Sequence, residues 1–259
     1  MLLTLTAHSV HRLLDPSSDG LSLLDLPDYV ISHLHLRGLN IDADMLAGWT
    51  LEQLDALRDQ ADKAGCPCLV LYDETPLSFL DSQFESSAER LRRLAAGANR
   101  LGCNAVSIRC DGPADDDDAL EETADSIRSL MTEIERFDLN LLLAPCEGLT
   151  MAPDRLTDLI KRIGGFRIGS LPTFEHAAAS GNAVQSLRKL APYAGAIHAT
   201  VHGFTKDGEH KDYDLTECIE AVQSVGFVNT LAIDYTGNGD PVDNIEKARS
   251  ALLAVIEAE

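Results

Sequence analysis

Positive charge is what this sequence has least of. It holds 21 Lys and Arg against 42 Asp and Glu, a formal net charge of −21 at pH 7. Such a chain repels polyanions at long range, which argues against nucleic acid or an anionic membrane surface as a partner. The acidic excess is built more from Asp than from Glu, and Lys is scarce beside Arg. Two origins fit: adaptation to high salt, where dense carboxylates keep a surface hydrated, or an acidic proteome of ordinary habitat.

Other absences narrow the field. The six cysteines, Cys66, Cys68, Cys103, Cys110, Cys146 and Cys218, form no paired Cys-x-x-Cys motif, and Cys66-Pro-Cys68 is too tight for a structural zinc site. Several lie in apolar runs, so they read as buried free thiols, which favours a reducing compartment. No run approaches the roughly 18 apolar residues of a membrane helix. The apolar start Met1–Thr6 lacks a basic leader region and soon meets His8, His11 and Arg12. It is not read as a secretory signal, and a cytoplasmic protein is expected. Neither G-x-G-x-x-G nor G-x-x-x-x-G-K-[ST] occurs, which removes the usual nucleotide-binding turns. No linker rich in Pro, Gly or Ser breaks the chain, so one domain over residues 1–259 is expected.

What is present is a repeating unit: a short apolar run, a polar or glycine-bearing loop, then an amphipathic stretch. Short apolar runs predict buried strands at Leu2–Thr6, Gly38–Ile41, Cys68–Tyr72, Ala105–Arg109, Asn140–Leu143, Phe166–Leu171, Ala196–Val201 and Thr230–Asp234. Longer stretches of helical period lie between them, at Leu51–Ala64, Ala88–Leu101, Glu121–Phe137, Pro153–Ile163, Leu215–Val225 and Val242–Ile256. Two shorter helices are placed near Leu26–His35 and Val184–Leu190. Asp115–Asp118 precedes a helix, where acidic residues complement the positive end of its dipole. Eight alternating units and 259 residues predict an α/β fold, a single (β/α)8 TIM barrel, which takes about 250 residues.

In that fold the chemistry sits where the strands end. The strand ends bring His8, Asp42, Asp44, Asp73, Glu74, Arg109, Asp111, Glu147, Glu175, His176, His198, Thr200, His202 and Asp234 towards one mouth. Several also have plain structural readings. His8 fits a pocket wall, Asp42 and Asp44 a helix cap or solvated loop, and Asp73-Glu74 a surface loop. His33 and His35 precede a strand and are placed away from the mouth. His198 lies inside an apolar strand, where a histidine needs a specific partner. Histidine and carboxylate together suit a divalent ion such as Zn²⁺, Mn²⁺ or Mg²⁺, and carboxylates can move protons beside a sugar carbonyl.

Four local runs resemble one family. They are Leu141-Leu-Leu-Ala-Pro-Cys-Glu-Gly-Leu-Thr150 with Pro153-Asp-Arg-Leu, Arg167-Ile-Gly-Ser-Leu-Pro-Thr-Phe-Glu-His176, Ala191-Pro-Tyr-Ala-Gly-Ala-Ile-His-Ala-Thr200 and Ala232-Ile-Asp-Tyr-Thr-Gly237. They are similar to the last four strands of the xylose isomerase-like TIM barrels, a group of sugar isomerases and epimerases, dehydratases and an endonuclease branch. The resemblance implies one divalent metal held by Glu, Asp, His and Glu, with the two glutamates as acid and base. Carried over position by position, the first Glu falls on Ala144, the Asp on Thr173, the His on His198 and the last Glu on Asp234. Two carboxylates are thus absent. His198 and Asp234 remain as metal ligands, with Glu147 the nearest replacement.

Two functions of different class follow. One is a sugar or polyol isomerase or epimerase, with Asp234 and His198 as catalytic residues and His8, His176, His202 and Arg109 binding the substrate. The other is a non-catalytic barrel that keeps the fold, has lost the metal site, and binds a sugar or a partner. The endonuclease branch needs more metal ligands and basic DNA contacts, and the charge opposes both.

Overall fold

The computed structural model describes residues 1–14 and 20–258. Along the chain run β1 (Leu2–Thr6), α1 (Leu26–Ser32), β2 (Leu39–Asp42), α2 (Leu51–Ala64), β3 (Cys68–Ser78), α3 (Phe84–Leu101), β4 (Ala105–Asp111), α4 (Asp117–Glu135), β5 (Asn140–Ala144) and α5 (Pro153–Ile163). Then follow β6 (Ile168–Ser170), α6 (Phe174–Ala179), α7 (Ala183–Leu190), β7 (Ala196–Val201), α8 (Leu215–Gln223), β8 (Thr230–Tyr235) and α9 (Pro241–Ile256). The strands form one parallel sheet in the order β6-β5-β4-β3-β2-β1-β8-β7. This α/β sheet curls until its edge strands meet, consistent with a TIM barrel.

The meeting of β6 and β7 is sparse. Gly195 N–H donates to the Ser170 carbonyl at 3.1 Å, and His198 N–H donates to the Pro172 carbonyl at 3.0 Å. Glycine lets the chains come this close. A Cβ on Gly169 would sit 2.6 Å from the Tyr193 carbonyl oxygen, and one on Gly195 would sit 2.7 Å from a Leu142 methyl.

Local chemistry explains the helix ends. Thr50 and Gln53 form a reciprocal capping box at the start of α2, and Gly65 ends it with φ 68°. Asp116 caps α4 through Ala119 N–H at 2.9 Å. Asp117 and Asp118 lie in its first turn, and Asp117 pairs with Arg155. The acidic run therefore serves the helix, as its position implies.

Alternation along each strand divides the side chains between two faces. Leu3, Leu5, Leu39, Ile41, Val106, Ile108, Leu141, Leu143, Ile197, Ala199, Leu231 and Ile233 belong to the large core under the helices. Val70, Tyr72, Ala105, Leu142, Ala144, Leu171 and Ala196 form a separate small core inside the sheet. Above it the same inward positions turn polar, and there the site lies.

Several elements differ from expectation. β3 runs on to Ser78, with an irregular register to β4 between Tyr72 and Pro76. β6 is shorter than Phe166–Leu171, because Phe166 is fully exposed rather than buried. α1 stops at Ser32, and α6 occupies residues read as the end of a strand. All six cysteines are free and buried. Burial pushes the Cys66 and Cys68 thiols up to about 12, so neither serves as a nucleophile near neutral pH. Among the described residues no helix is long and apolar enough to cross a membrane.

Candidate active site

A cavity of about 300 Å³ opens at the carboxyl ends of the strands. Its lining comes from most of the sheet: His8 after β1, Asp42 on β2, Tyr72 and Glu74 on β3, Arg109 on β4, Thr173 and His176 after β6, His198 and Thr200 on β7, and Asp234 on β8.

His198 forms the floor. It is 2% exposed, and its Nε2 lies 3.0 Å from Asn40 Nδ2. The Tyr72 ring meets its edge at 5.1 Å. Burial holds the imidazole below its ordinary value, with Arg109 acting the same way and Asp234 opposing. The ring is therefore neutral at pH 7. Asn40 holds the ring through Nε2.

Asp234 is held by hydroxyls. Thr6 donates to Oδ1 at 2.8 Å and Thr200 to Oδ2 at 3.4 Å. Thr6 in turn meets Ser9 at 2.8 Å. Register explains the grouping, since Thr200 pairs with Asp234 and Leu5 with Ile233 across adjacent strands.

Glu74 and Arg109 form an ion pair across β3 and β4. The Glu74 side chain is 43% exposed because it faces the open cavity, while protein encloses its other sides. That burial pushes its carboxyl up; Arg109 draws it back, and Asp234, Asp42 and Asp73 add their repulsion, leaving it at about 7. Asp42 is also raised, first by burial. It lines the cavity and accepts from Asp44 N–H at 3.0 Å, so it is both a cap and a wall. His8 stands 3.9 Å from it.

Alternation along β3 puts Glu74 on the inward face with Tyr72, next to the irregular register with β4. Asp73 points the other way, is 1% exposed in its side chain, and takes two bonds from Arg90 of α3 at 2.5 and 2.8 Å. For Asp73-Glu74 the sequence offers both a surface loop and a site. The structure puts Glu74 in the cavity and buries Asp73 behind it. A signal was present: Val70, Tyr72 and Glu74 share one face by alternation, and Pro76 marks an interrupted strand. Asn40 and Thr6 carry no comparable signal, because their roles depend on partners distant in sequence.

The other expected residues fall in three places. His176 lines the cavity, its Nδ1 2.9 Å from Thr173 Oγ1, and burial lowers its pKa. His202 adjoins the cavity through Glu175 at 3.4 Å and binds Asp212 at 2.6 Å. Glu147 is exposed in the turn after β5 and does not line the cavity.

The four positions that the resemblance gives to a metal do not fit one. Ala144 has no donor atom. The Thr173 hydroxyl already accepts His176 N–H at 3.1 Å, capping α6, and meets the ring as well. Of the four positions, His198 through Nδ1 and the Asp234 carboxylate alone offer ligand atoms, and Asp234 already accepts from Thr6 and Thr200, so two ligands stand where the resemblance needs four. The Arg109 guanidinium occupies the same mouth. Elsewhere, among the described residues, His202, His210 and Asp212 bring three donor atoms within 4.8 Å of one another. They also satisfy one another's surroundings: His210 Nε2 accepts His202 N–H at 3.1 Å, and its Nδ1 faces the Tyr213 carbonyl at 3.2 Å.

Eight parallel strands, helices outside them and a polar mouth at their carboxyl ends define an α/β barrel with a polar cleft. The family model of the xylose isomerase-like TIM barrel matches residues 34–255, and the chain belongs to that family. No curated protein matches it by sequence. Among solved structures it is similar to an L-ribulose 3-epimerase, with TM-score 0.79, 13% identity and coverage of 100% of this chain and 97% of that one. It is similar also to the probable 3-DHS dehydratase AsbF of Bacillus anthracis, with TM-score 0.77, 16% identity and coverage of 98% and 99%. The IOLI protein, crystallised with a binding zinc atom, gives TM-score 0.76, 12% identity and coverage of 100% and 99%. At these identities the likeness establishes the fold.

Proposed function

We propose that this chain moves a proton beside the carbonyl of a small sugar or polyol-derived ketone, as an isomerase or epimerase, at the carboxyl-end mouth of the barrel. One observation carries the reading: Glu74 and Asp234, from β3 and β8, line one cavity small enough for a single sugar. Its volume of about 300 Å³ lies at the lower end of the roughly 300–1,000 Å³ common for small-molecule sites. A carboxyl near pH 7 suits general acid–base work, because both protonation states are populated at the working pH.

In this reading Asp234, fixed by Thr6 and Thr200, takes the carbon-bound proton, and protonated Glu74 supplies one. His198 and His176, both neutral through burial, and His8 and His202 meet ligand hydroxyls. This keeps one acid–base position of the family, at Asp234, and replaces the one that falls on Ala144 by Glu74 on β3. The similar structures include D-psicose 3-epimerases studied with D-fructose and with D-tagatose, which supplies a first panel. Chromatography of D-fructose, D-tagatose and L-ribulose incubated with the chain is expected to reveal an isomer of at least one. Glu74→Gln and Asp234→Asn should each slow its formation by about 10²-fold or more.

A second reading rests on Ala144 and Thr173. A barrel that lost two carboxylates while keeping its polar mouth fits a sugar-binding protein without catalysis. Calorimetric binding of a panel sugar with no isomer formed supports it and contradicts the first.

A further inference from the structure

We propose that Arg109 is the resident cation of this mouth, so that the site receives the carbonyl oxygen of an uncharged, hydroxyl-bearing ligand on a guanidinium rather than on a divalent metal. The clause about a carbonyl rests on the proton transfer proposed above; the clause about the cation does not.

Arg109 pairs in register with Ala144, the position where the resemblance places a metal-binding glutamate. The small methyl of Ala144 leaves the inward space beside β4 open to the longer side chain. A guanidinium offers five N–H donors. Among the described residues the Glu74 carboxylate is the one recorded partner of Arg109, and its Nε–H is buried with no acceptor. A cation held by one carboxylate, with donors to spare and a face on the cavity, is arranged to take an oxygen from a ligand. Its charge also reaches the rest of the site, opposing protonation of His176 and His198. A divalent ion at the family's positions would lack two of its four ligands, since Ala144 and Thr173 supply no carboxylate.

The charge of the ligand follows from the same wall. Asp42, Glu74, Glu175 and Asp234 line the cavity, in a chain of net charge −21. An anionic ligand meets repulsion from these groups and from the whole molecule. A neutral ketose does not, and it offers both a carbonyl oxygen to Arg109 and hydroxyls to carboxylates and imidazoles. When a carboxylate takes the proton from the carbon beside the carbonyl, the C–H electron pair forms the enolate double bond. The carbonyl pair then moves to oxygen, where the guanidinium faces the new negative charge. Reprotonation at carbon reverses the shift, so no oxidant or metal enters the balance.

The test is a titration of the full chain, stripped with EDTA, against Mn²⁺, followed by the electron paramagnetic resonance of the free ion. Up to about 1 mM, weak on the scale of specific sites, no binding that depends on His198 is expected in the wild type. The variant Ala144→Glu/Thr173→Asp/Arg109→Met returns both carboxylates and removes the guanidinium. It should gain a site at least about tenfold tighter, erased by adding His198→Ala. Wild-type binding of one Mn²⁺ that His198→Ala abolishes overturns the proposal. So does a triple variant, folded by circular dichroism, that gains no affinity. If that variant does not fold, the wild-type titration decides alone. Mn²⁺ that is lost with His202→Ala and kept with His198→Ala belongs to the loop after β7 and leaves the mouth metal-free, as proposed. No sugar enters this experiment, so a chain that binds no Mn²⁺ and converts no sugar refutes the reaction and keeps the resident cation.

Discussion

In the proposed reaction Glu74 supplies the proton. Its carboxyl rises from 4.5 to about 7, so the folded protein binds a proton that the unfolded chain has released between those values. Stability from this group is full below about pH 4.5 and is lost as pH rises towards 7. Glu74→Gln should flatten that segment of the stability–pH curve measured by urea unfolding. A slope unchanged by the substitution would assign it to another group. Arg109 opposes the rise, so Arg109→Met should move the Glu74 titration upward, as read by ¹³C NMR of the carboxyl carbon. His198, Arg109 and Asp234 were legible as inward residues at strand ends, by alternation alone. The Glu74–Arg109 pair was not, because it depends on how two strands slip against each other.

At the scale of elements, the site depends on two small irregularities. The first is the bulge in β3, clamped by the two bonds from Arg90 to buried Asp73. Arg90→Ala strands that carboxylate inside the protein. Removing one partner of a fully buried pair costs about 3–5 kcal/mol; with Arg90 one-third exposed, roughly 2–3 kcal/mol is expected from urea unfolding, with a weakened Glu74 titration near 7. The second is α6, where the Thr173 hydroxyl caps the helix and meets the His176 ring. Thr173→Ala should cost about 1 kcal/mol and Thr173→Ser should restore most of it. Long apolar and periodic stretches announced most strands and helices correctly. α6 escaped because its six residues are too few to display a helical period, and β6 was overdrawn because Phe166 has strand propensity without burial. That Ala144 and Thr173 stand where the resemblance places carboxylates was legible in the sequence. That Arg109 lies beside Ala144 and lines the cavity was not, since it belongs to a different strand.

For the whole molecule, charge is the distinguishing property. Acidic groups outnumber basic ones 42 to 21, so repulsion among carboxylates outweighs the surface ion pairs, which are worth little singly. Salt screens both, with a Debye length falling from about 10 Å at 0.1 M to about 3 Å at 1 M. The melting temperature should therefore rise on going from low salt to molar KCl. A fall would show that the Arg–carboxylate pairs dominate and would remove the case for a high-salt adaptation. A barrel of this kind places its chemistry at one end and its stability elsewhere, so the residues at the mouth can differ between family members while the fold stays the same. The account as a whole is tested most directly by deuterium exchange from D₂O into a neutral ketose, followed by proton NMR with EDTA present. It predicts label at the carbon beside the carbonyl with the wild-type chain, and loss of that label with Glu74→Gln or Asp234→Asn. Label that appears only when a divalent metal is restored, or that survives both substitutions unchanged, would contradict it.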